Sequence, residues 1–348
     1  MKTVSVGGRE IGGSGPVFFI AEAGVNHNGD KGLAHKLIDA AADAKADAVK
    51  FQTFDPSELV VTNADKAAYQ QRTSGSGTQR AMLDALALSA AAQLGLADHA
   101  RDRGLVFLST PFDEPSVGAV VALRVPAIKT SSGDLTSLPF LRRVGQEGLP
   151  VFLSTGMGTL EDVAEAIAAL RDGGTEKVIL LHCVSSYPAP AADVNLRAMA
   201  TLRDRFDVPV GYSDHTVGAA ISLAAVALGA AVIEKHFTLD RGMPGPDHAA
   251  SIEPAELCRL VADIRDVEAA LGDGTKGPRP SERDAMTNLR KSVVARRDLR
   301  AGQALTEADL TIKRPAGGLP PKALHDLIGR RLRHDVNAER MILPADLE

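Results

Sequence analysis

Eight short runs rich in Val, Ile, Phe and Leu alternate with longer Ala/Leu-rich stretches up to about residue 270, and this alternation constrains the fold more than any other feature. The runs lie at 17–22 (VFFIAE), 48–51 (AVKF), 106–109 (VFLS), 127–130 (AIKT), 151–154 (VFLS), 178–182 (VILLH), 209–212 (PVGY) and 231–235 (AVIEK). Near-continuous apolar character over so few residues fits a strand buried on both faces. Between the runs, segments such as 33–46, 90–103 and 160–171 read as helices. Strand–helix repetition implies a parallel sheet, because successive parallel strands need a crossover. Eight such units in about 250 residues is the count of a (β/α)8 TIM barrel, an α/β fold. A doubly wound sheet would place a GxGxxG turn after the first strand, and none is there.

Two segments break the alternation. Residues 55–88 exceed an ordinary βα connection. With SGSGTQ at 74–79 they read as a mobile active-site loop followed by a short helix. Residues 271–285 are rich in Gly, Pro and charge and read as a linker, separating a barrel at 1–270 from a module at 286–348. GDGTKG in that linker lacks the GxxxxGK[ST] spacing and a preceding strand, so it is no phosphate loop. The module carries short strands (SVVA at 292–295, DLTIKR at 309–314), turns and short helices (TEADL, PPKALHDLIG). It is β-rich, too small for much core of its own, and is expected to pack against a barrel.

Composition narrows the partners. A net charge of −5 offers no basic excess for nucleic acid. Tryptophan is absent and aromatics are 4%, so stacking platforms for bases are not expected. Two cysteines, Cys183 and Cys258, cannot build a disulfide framework or a zinc site, which fits a reducing cytoplasm. The N-terminus MKTVSVGGREIGG has no apolar signal region. The longest apolar run, 219–233, falls short of the ~20 residues a membrane span needs and reads as a buried helix entering a buried strand.

Barrel enzymes place their chemistry at the C-terminal ends of the strands. Here those ends carry Glu22, Lys50, Ser109-Thr110, Lys129 with SSGD, Ser154-Thr155-Gly156, His182, Ser213-Asp214-His215 and Glu234-Lys235-His236. Lys50, Lys129, Ser132, Ser154 and Ser213 supply two cations and several hydroxyls, and the SSG and STG turns offer backbone N–H groups at helix starts, a set suited to phosphate or carboxylate. His215 and His236 end neighbouring strands, close enough to share a catalytic divalent ion such as Mn²⁺. The residues alone point to a metal-assisted barrel enzyme for a small anionic substrate.

The motifs IAEAGVNHNGD (20–30), AVKFQT (48–53), LSTPFD (108–113), IKTSSGDLTSLP (128–139), LSTGMGTLEDV (153–163), LLHCVSSYPAP (180–190), GYSDHTVG (211–218), ALGAAVIEKHFTLDR (227–241) and PGPDHAASIEP (244–254) resemble the sialic acid synthase family. That family comprises the phosphoenolpyruvate-condensing synthases of nonulosonic acids. KSVVARRDLRAGQALTEADLTIKRP at 291–315 resembles the antifreeze-like SAF domain (a β-clip module) that follows the barrel in that family. The resemblance implies phosphoenolpyruvate in a pocket of Lys50, Thr110, Lys129, Ser132, Ser154 and Ser213. It implies Mn²⁺, with Mg²⁺ or Co²⁺ as alternatives, on His215 and His236. The acceptor would be N-acetylmannosamine or a 2,4-diacetamido-2,4,6-trideoxymannose, with Tyr187 also in the substrate site. Glu22 and Asp247 would join Lys50 in the catalytic set, and Asp134 and Asp247 would serve sugar hydroxyls or metal-bound water. The family works as a homodimer with swapped SAF domains, so Arg314 would reach the partner's sugar. In SSGD an Asp stands where some members have Glu. VSSYP resembles the legionaminic type, and PGPDH is less like the pseudaminic branch. Two other readings remain open: a Schiff-base pyruvate aldolase using Lys50 or Lys129, and a non-catalytic carbohydrate-binding protein.

Overall fold

The computed structural model describes residues 2–348, in two compact units that divide between Gly272 and Asp273. The first unit opens with an antiparallel hairpin, β1 (Thr3–Val6) and β2 (Arg9–Gly12). Eight parallel strands follow: β3 (Phe18–Gly24), β4 (Ala48–Thr53), β5 (Val106–Pro111), β6 (Ile128–Thr130), β7 (Val151–Ser154), β8 (Val178–Cys183), β9 (Val210–Asp214) and β10 (Val232–His236). Their order, β5-β4-β3-β10-β9-β8-β7-β6, makes a nearly closed TIM-type barrel with β5 and β6 at the seam.

Each strand leads into a helix. α1 (Lys31–Asp43) follows β3. Residues 55–88, expected as a loop and one short helix, form three: α2 (Pro56–Leu59), α3 (Ala68–Ser74) and α4 (Gln79–Leu86). The SGSG turn links the last two, and Thr78 caps α4 by accepting from Ala81 N–H. The barrel helices continue with α5 (Ala90–Asp102), α6 (Glu114–Ala122), α7 (Leu138–Gly145), α8 (Leu160–Gly173), α9 (Ala198–Phe206), α10 (Ala220–Ala227) and α11 (Pro254–Leu271). Asp30, Ser89, Asp113 and Thr159 cap α1, α5, α6 and α8, each accepting an otherwise unpaired N–H of the first turn. The apolar run 219–233 is α10 running into β10. No single helix among the described residues is long and apolar enough to cross a membrane.

Strand alternation sorts the barrel into two cores. Phe19, Val49, Phe107, Leu153, Leu180 and Ile233 pack with the helices. Phe18, Ile20, Leu108, Phe152, Leu181 and Val232 form the inner core. The hairpin adds Val4, Val6 and Ile11 to that inner core, where Ile11 is fully buried. The strands thus keep apolar side chains inside over their first residues and turn polar only at their C-terminal ends.

The second unit begins with α12 (Arg283–Leu289) and an antiparallel pair, β11 (Ser292–Ala295) and β12 (Leu310–Lys313). A core of its own gathers Val293, Leu299, Leu305, Leu310, Leu332, Val336 and Ile342. Two buried carboxylates brace it. Asp309 accepts from the Thr306 N–H and hydroxyl and pairs with Arg297. Asp346 accepts from Leu343 N–H and pairs with His334 and Arg340.

Candidate active site

Where the strands turn polar, a cavity of about 440 Å³ opens, and it collects residues from all eight. Glu22, Lys50, Thr110, Lys129, Ser132, Asp134, Ser154, Tyr187, Ser213, His215, His236 and Asp247 all line it. Arg314 lies in the second unit just past β12 and is exposed.

The floor is a buried ionic network. Lys50 Nζ sits 2.6 Å from Glu22 Oε2 and 3.7 Å from Glu234 Oε2, and donates to Thr110 Oγ1 at 3.0 Å. Lys129 Nζ donates to Glu234 Oε1 at 3.2 Å, and Ser213 Oγ donates to the same oxygen at 2.8 Å. Glu234 therefore bridges the two lysines. Burial pushes a carboxyl up, and the two carboxylates resolve this differently. Burial wins at Glu22, which is raised well above the usual range, with the Lys50 charge opposing. At Glu234 burial is outweighed by Lys129, Lys50 and the Ser213 hydroxyl, so it stays ionised. Lys50 is desolvated too, but Glu22 and Glu234 hold its pKa above the ordinary lysine value. Burial thus favours the protonated form of Glu22 more than that of Glu234, so Glu234 is the firmer carboxylate between the two lysines.

Gly24 makes room for this network. Its φ of +54° suits glycine, and a Cβ there would lie 3.3 Å from Glu22 Oε1 and 3.6 Å from His236 Cε1. The strand register shifts between Glu22 and Gly24, a bulge of the kind that re-aims side chains beside active sites.

The SSG and STG turns differ from expectation. α8 starts at Leu160, beyond the STG turn, and SSGD is a 3₁₀ turn ahead of α7. Gly156 N–H does not point free but donates to Ser132 Oγ at 3.0 Å, and that hydroxyl also lies 3.1 Å from Cys183 Sγ. Ser131 Oγ donates to Asp134 Oδ2, and burial raises the Asp134 pKa. Asp247, nearly buried, is pushed up to about 6 by desolvation.

The two imidazoles stand side by side, with ring centroids 5.5 Å apart and planes at 54°. The Tyr187 ring packs 4.2 Å from His215 and meets His236 edge-on at 5.8 Å. Among the described residues no cluster of three or more His, Cys, Asp or Glu side chains could hold a metal ion. The pair nonetheless suits a two-histidine site. His215 Nδ1 sits 2.8 Å from the Val184 carbonyl, so it carries the proton and leaves Nε2 as a lone pair. His236 Nδ1 is buried with no hydrogen-bond partner, and burial holds both rings toward the neutral form that metals bind.

Several strand-end residues fall elsewhere, among them Ser109, Thr155, His182, Asp214 and Lys235. His182 points away from the cavity, its Nε2 2.7 Å from the Val194 carbonyl. Lys235 also faces outward, to Asp214. Glu234, the bridge, was named from sequence only as a strand end and given no role, although its spacing of two from His236 puts both on one face of β10. The same spacing from Lys50 places Gln52 in the cavity.

The fold and the site define a (β/α)8 barrel whose polar mouth gathers two buried lysines, the carboxyl groups of Glu22 and Glu234 and a pair of adjacent histidines. The NeuB family model matches residues 37–276 and the SAF domain model residues 290–348. The chain belongs to the NeuB family, which makes it a synthase of the transferase class. It is 44% identical to the N,N'-diacetyllegionaminic acid synthase of Legionella pneumophila over 97% of this chain and 96% of that protein. It is 46% identical to the enzyme of the same name from Campylobacter jejuni, over 93% and 98%. In structure it resembles the N-acetylneuraminic acid synthetase of Leptospira borgpetersenii crystallised with citrate, with a TM-score of 0.73 at 36% identity, covering 82% of this chain and 95% of that one.

Proposed function

We propose that the protein condenses phosphoenolpyruvate with an open-chain N-acylated mannosamine-type sugar, giving a nine-carbon nonulosonic acid and phosphate. The observation that carries this reading is the convergence of two buried lysines, Lys50 and Lys129, bridged by Glu234 at the cavity floor, beside the paired imidazoles. The two ammonium groups, with Thr110, Ser154 and Ser213, receive the phosphate and carboxylate of phosphoenolpyruvate. C3 of phosphoenolpyruvate forms the new bond to the aldehyde carbon, and the aldehyde oxygen gains a proton. Water adds to the cationic C2 and gives its first proton to a base; phosphate then leaves by C–O cleavage as the C2 carbonyl forms, carrying off the second proton of that water. Glu22, whose raised pKa suits exchange near neutrality, holds or takes that proton. Asp247 and Asp134 meet acceptor hydroxyls. His215 and His236 would hold a divalent ion, Mn²⁺ foremost, which when bound supplies Lewis acidity toward the acceptor carbonyl. The protein acts as a homodimer in which the SAF module of one chain serves the barrel of the other and Arg314 contacts the partner's acceptor.

The acceptor is of the 2,4-diacetamido-6-deoxy type. Val25, Phe54, Leu59, Met82, Leu86 and Phe112 make one wall of the cavity apolar. Such a wall suits the acetamido methyls and C6 methyl of that sugar. Two relatives named as diacetyllegionaminic acid synthases support the same choice.

The Schiff-base alternative is disfavoured at Lys50, since an ammonium held between two carboxyl groups is a poor nucleophile. The deciding experiment is phosphate release from phosphoenolpyruvate across a panel of mannosamine-type and 6-deoxy diacetamido sugars, with and without Mn²⁺. Release requiring both substrates is expected, and fastest with the 6-deoxy acceptor. Absence of release with every acceptor, together with borohydride trapping of pyruvate, would overturn the proposal.

A further inference from the structure

On the outer side of the barrel wall, directly behind the two imidazoles, lies a buried ion pair that takes no part in the chemistry above. Asp214 and Lys235 are register partners on β9 and β10, with Ser213 and Glu234 paired one step before them. Because side chains alternate, Ser213, His215, Glu234 and His236 line the cavity while Asp214 and Lys235 face outward. Their side chains are 0% and 1% exposed, and Lys235 Nζ donates to Asp214 Oδ2 at 2.8 Å.

The pair does more than join two strands. Asp214 Oδ1 accepts from both the N–H and the hydroxyl of Thr216, each at 2.8 Å. Asp214 Oδ2 also accepts from Ser222 Oγ of α10 at 2.5 Å. Lys235 Nζ donates a second bond, to the Thr216 carbonyl, at 2.8 Å. Asp214 and Thr216 are the chain neighbours of His215, and Lys235 is the neighbour of His236. The network therefore grips the backbone on both sides of one imidazole and beside the other. On the cavity side His215 is held through Nδ1 to the Val184 carbonyl, by a long 3.5 Å contact of Nε2 with Ser213 Oγ and by ring packing, and His236 Nδ1 has no partner among the described residues.

We infer that Asp214 and Lys235 are positioning residues: from behind the barrel wall they set the spacing and aim of His215 and His236 for a divalent ion. The inference rests on the metal reading of those two histidines. A structural ion pair alone would affect stability and leave ion affinity where it was. Outer-sphere groups that orient histidine ligands characteristically change metal affinity by about 10–100-fold.

The test measures Mn²⁺ affinity of the full chain without substrates, by electron paramagnetic resonance or calorimetry, beside thermal unfolding. Removing one partner would strand a buried charge, so the two are neutralised together as Asp214→Asn with Lys235→Met. The double variant is expected to fold and to bind Mn²⁺ at least about tenfold more weakly than the native chain. Ser222→Ala, which deletes one donor to Asp214, is expected to weaken binding about threefold or more, and it decides the question if the double variant does not fold. Native Mn²⁺ affinity in the folded double variant, or in Ser222→Ala where that variant alone folds, would overturn the positioning role and leave the metal reading standing. If the native chain binds no Mn²⁺, the metal reading fails and the inference with it.

Discussion

At the scale of single residues, Glu22 and Glu234 are both buried beside Lys50 and yet shift in opposite directions, Glu22 toward its neutral form and Glu234 toward its ionised one. Glu234 has two ammonium groups and a hydroxyl, while Glu22 has Lys50 against full desolvation. This asymmetry assigns the proton-exchanging role to Glu22. Glu22→Gln is a close neutral isostere of the protonated group, so it is expected to lower kcat by about 10²–10⁴ while KM for phosphoenolpyruvate changes little. Steady-state kinetics separate the two, and an equal loss through KM alone would remove the proton role. Gly24→Ala is expected to cost about 1–3 kcal/mol of stability in chemical denaturation, since alanine would have to adopt a positive φ in the middle of the network. Most of this cavity was legible because the C-terminal ends of parallel strands meet at one mouth, so alternate residues there converge on it. Glu234 was harder to see, because the two lysines it bridges come from β4 and β6, over a hundred residues away. His182 was misleading because ending a strand does not decide which face a side chain takes.

The same division between pattern and register governs the elements. The eight strands are visible as apolar runs, since burial on both faces leaves no room for polar residues in their bodies. The N-terminal hairpin is missed when MKTVSVGGREIGG is read only for targeting. Its signal is the Gly7-Gly8 pair, with φ of +57° and +81°, between short alternating segments. Residues 55–88 read as loop because three short helices with brief apolar faces give little periodicity. The hairpin fills the inner core far from the chemistry, so Ile11→Ala is expected to lower stability by about 2–4 kcal/mol without altering kcat or KM. Denaturant unfolding beside kinetics checks this. In the second unit Asp309 and Asp346 are held below the ordinary carboxylate range; burial opposes this, but hydrogen bonds from Thr306 and Leu343 N–H, with Arg297, His334 and Arg340, outweigh it. The unfolded chain therefore takes up protons first as pH falls. Their stabilisation is complete above about pH 4 and is lost as pH drops through the lower folded values. Hydrogen exchange of β11 and β12 in the full chain should lose protection across that acid window, and Asp309→Ala should remove part of that dependence.

At the scale of the whole molecule, two units with separate cores share one chain, and every buried charge of the cavity floor comes from the first. Arg314, exposed in the second, has no such partner set among the described residues and is proposed to act on a neighbour's acceptor. That arrangement makes a prediction no intrachain arrangement shares. Lys50→Met disables a barrel but leaves its SAF module intact. Arg314→Ala disables a module but leaves its barrel intact. Each homodimer alone should turn over poorly. After dissociation and reassembly of an equal mixture, half the dimers are mixed, and in each of these one site combines the sound barrel with the sound module. About a quarter of the sites should then be active, so the mixture should recover roughly a quarter of native phosphate release under saturating substrates. If each module served its own barrel, every chain would carry one defect and mixing would restore nothing. Light scattering on the same samples establishes that dimers have re-formed, so that a flat result counts against the swap and not against the reassembly.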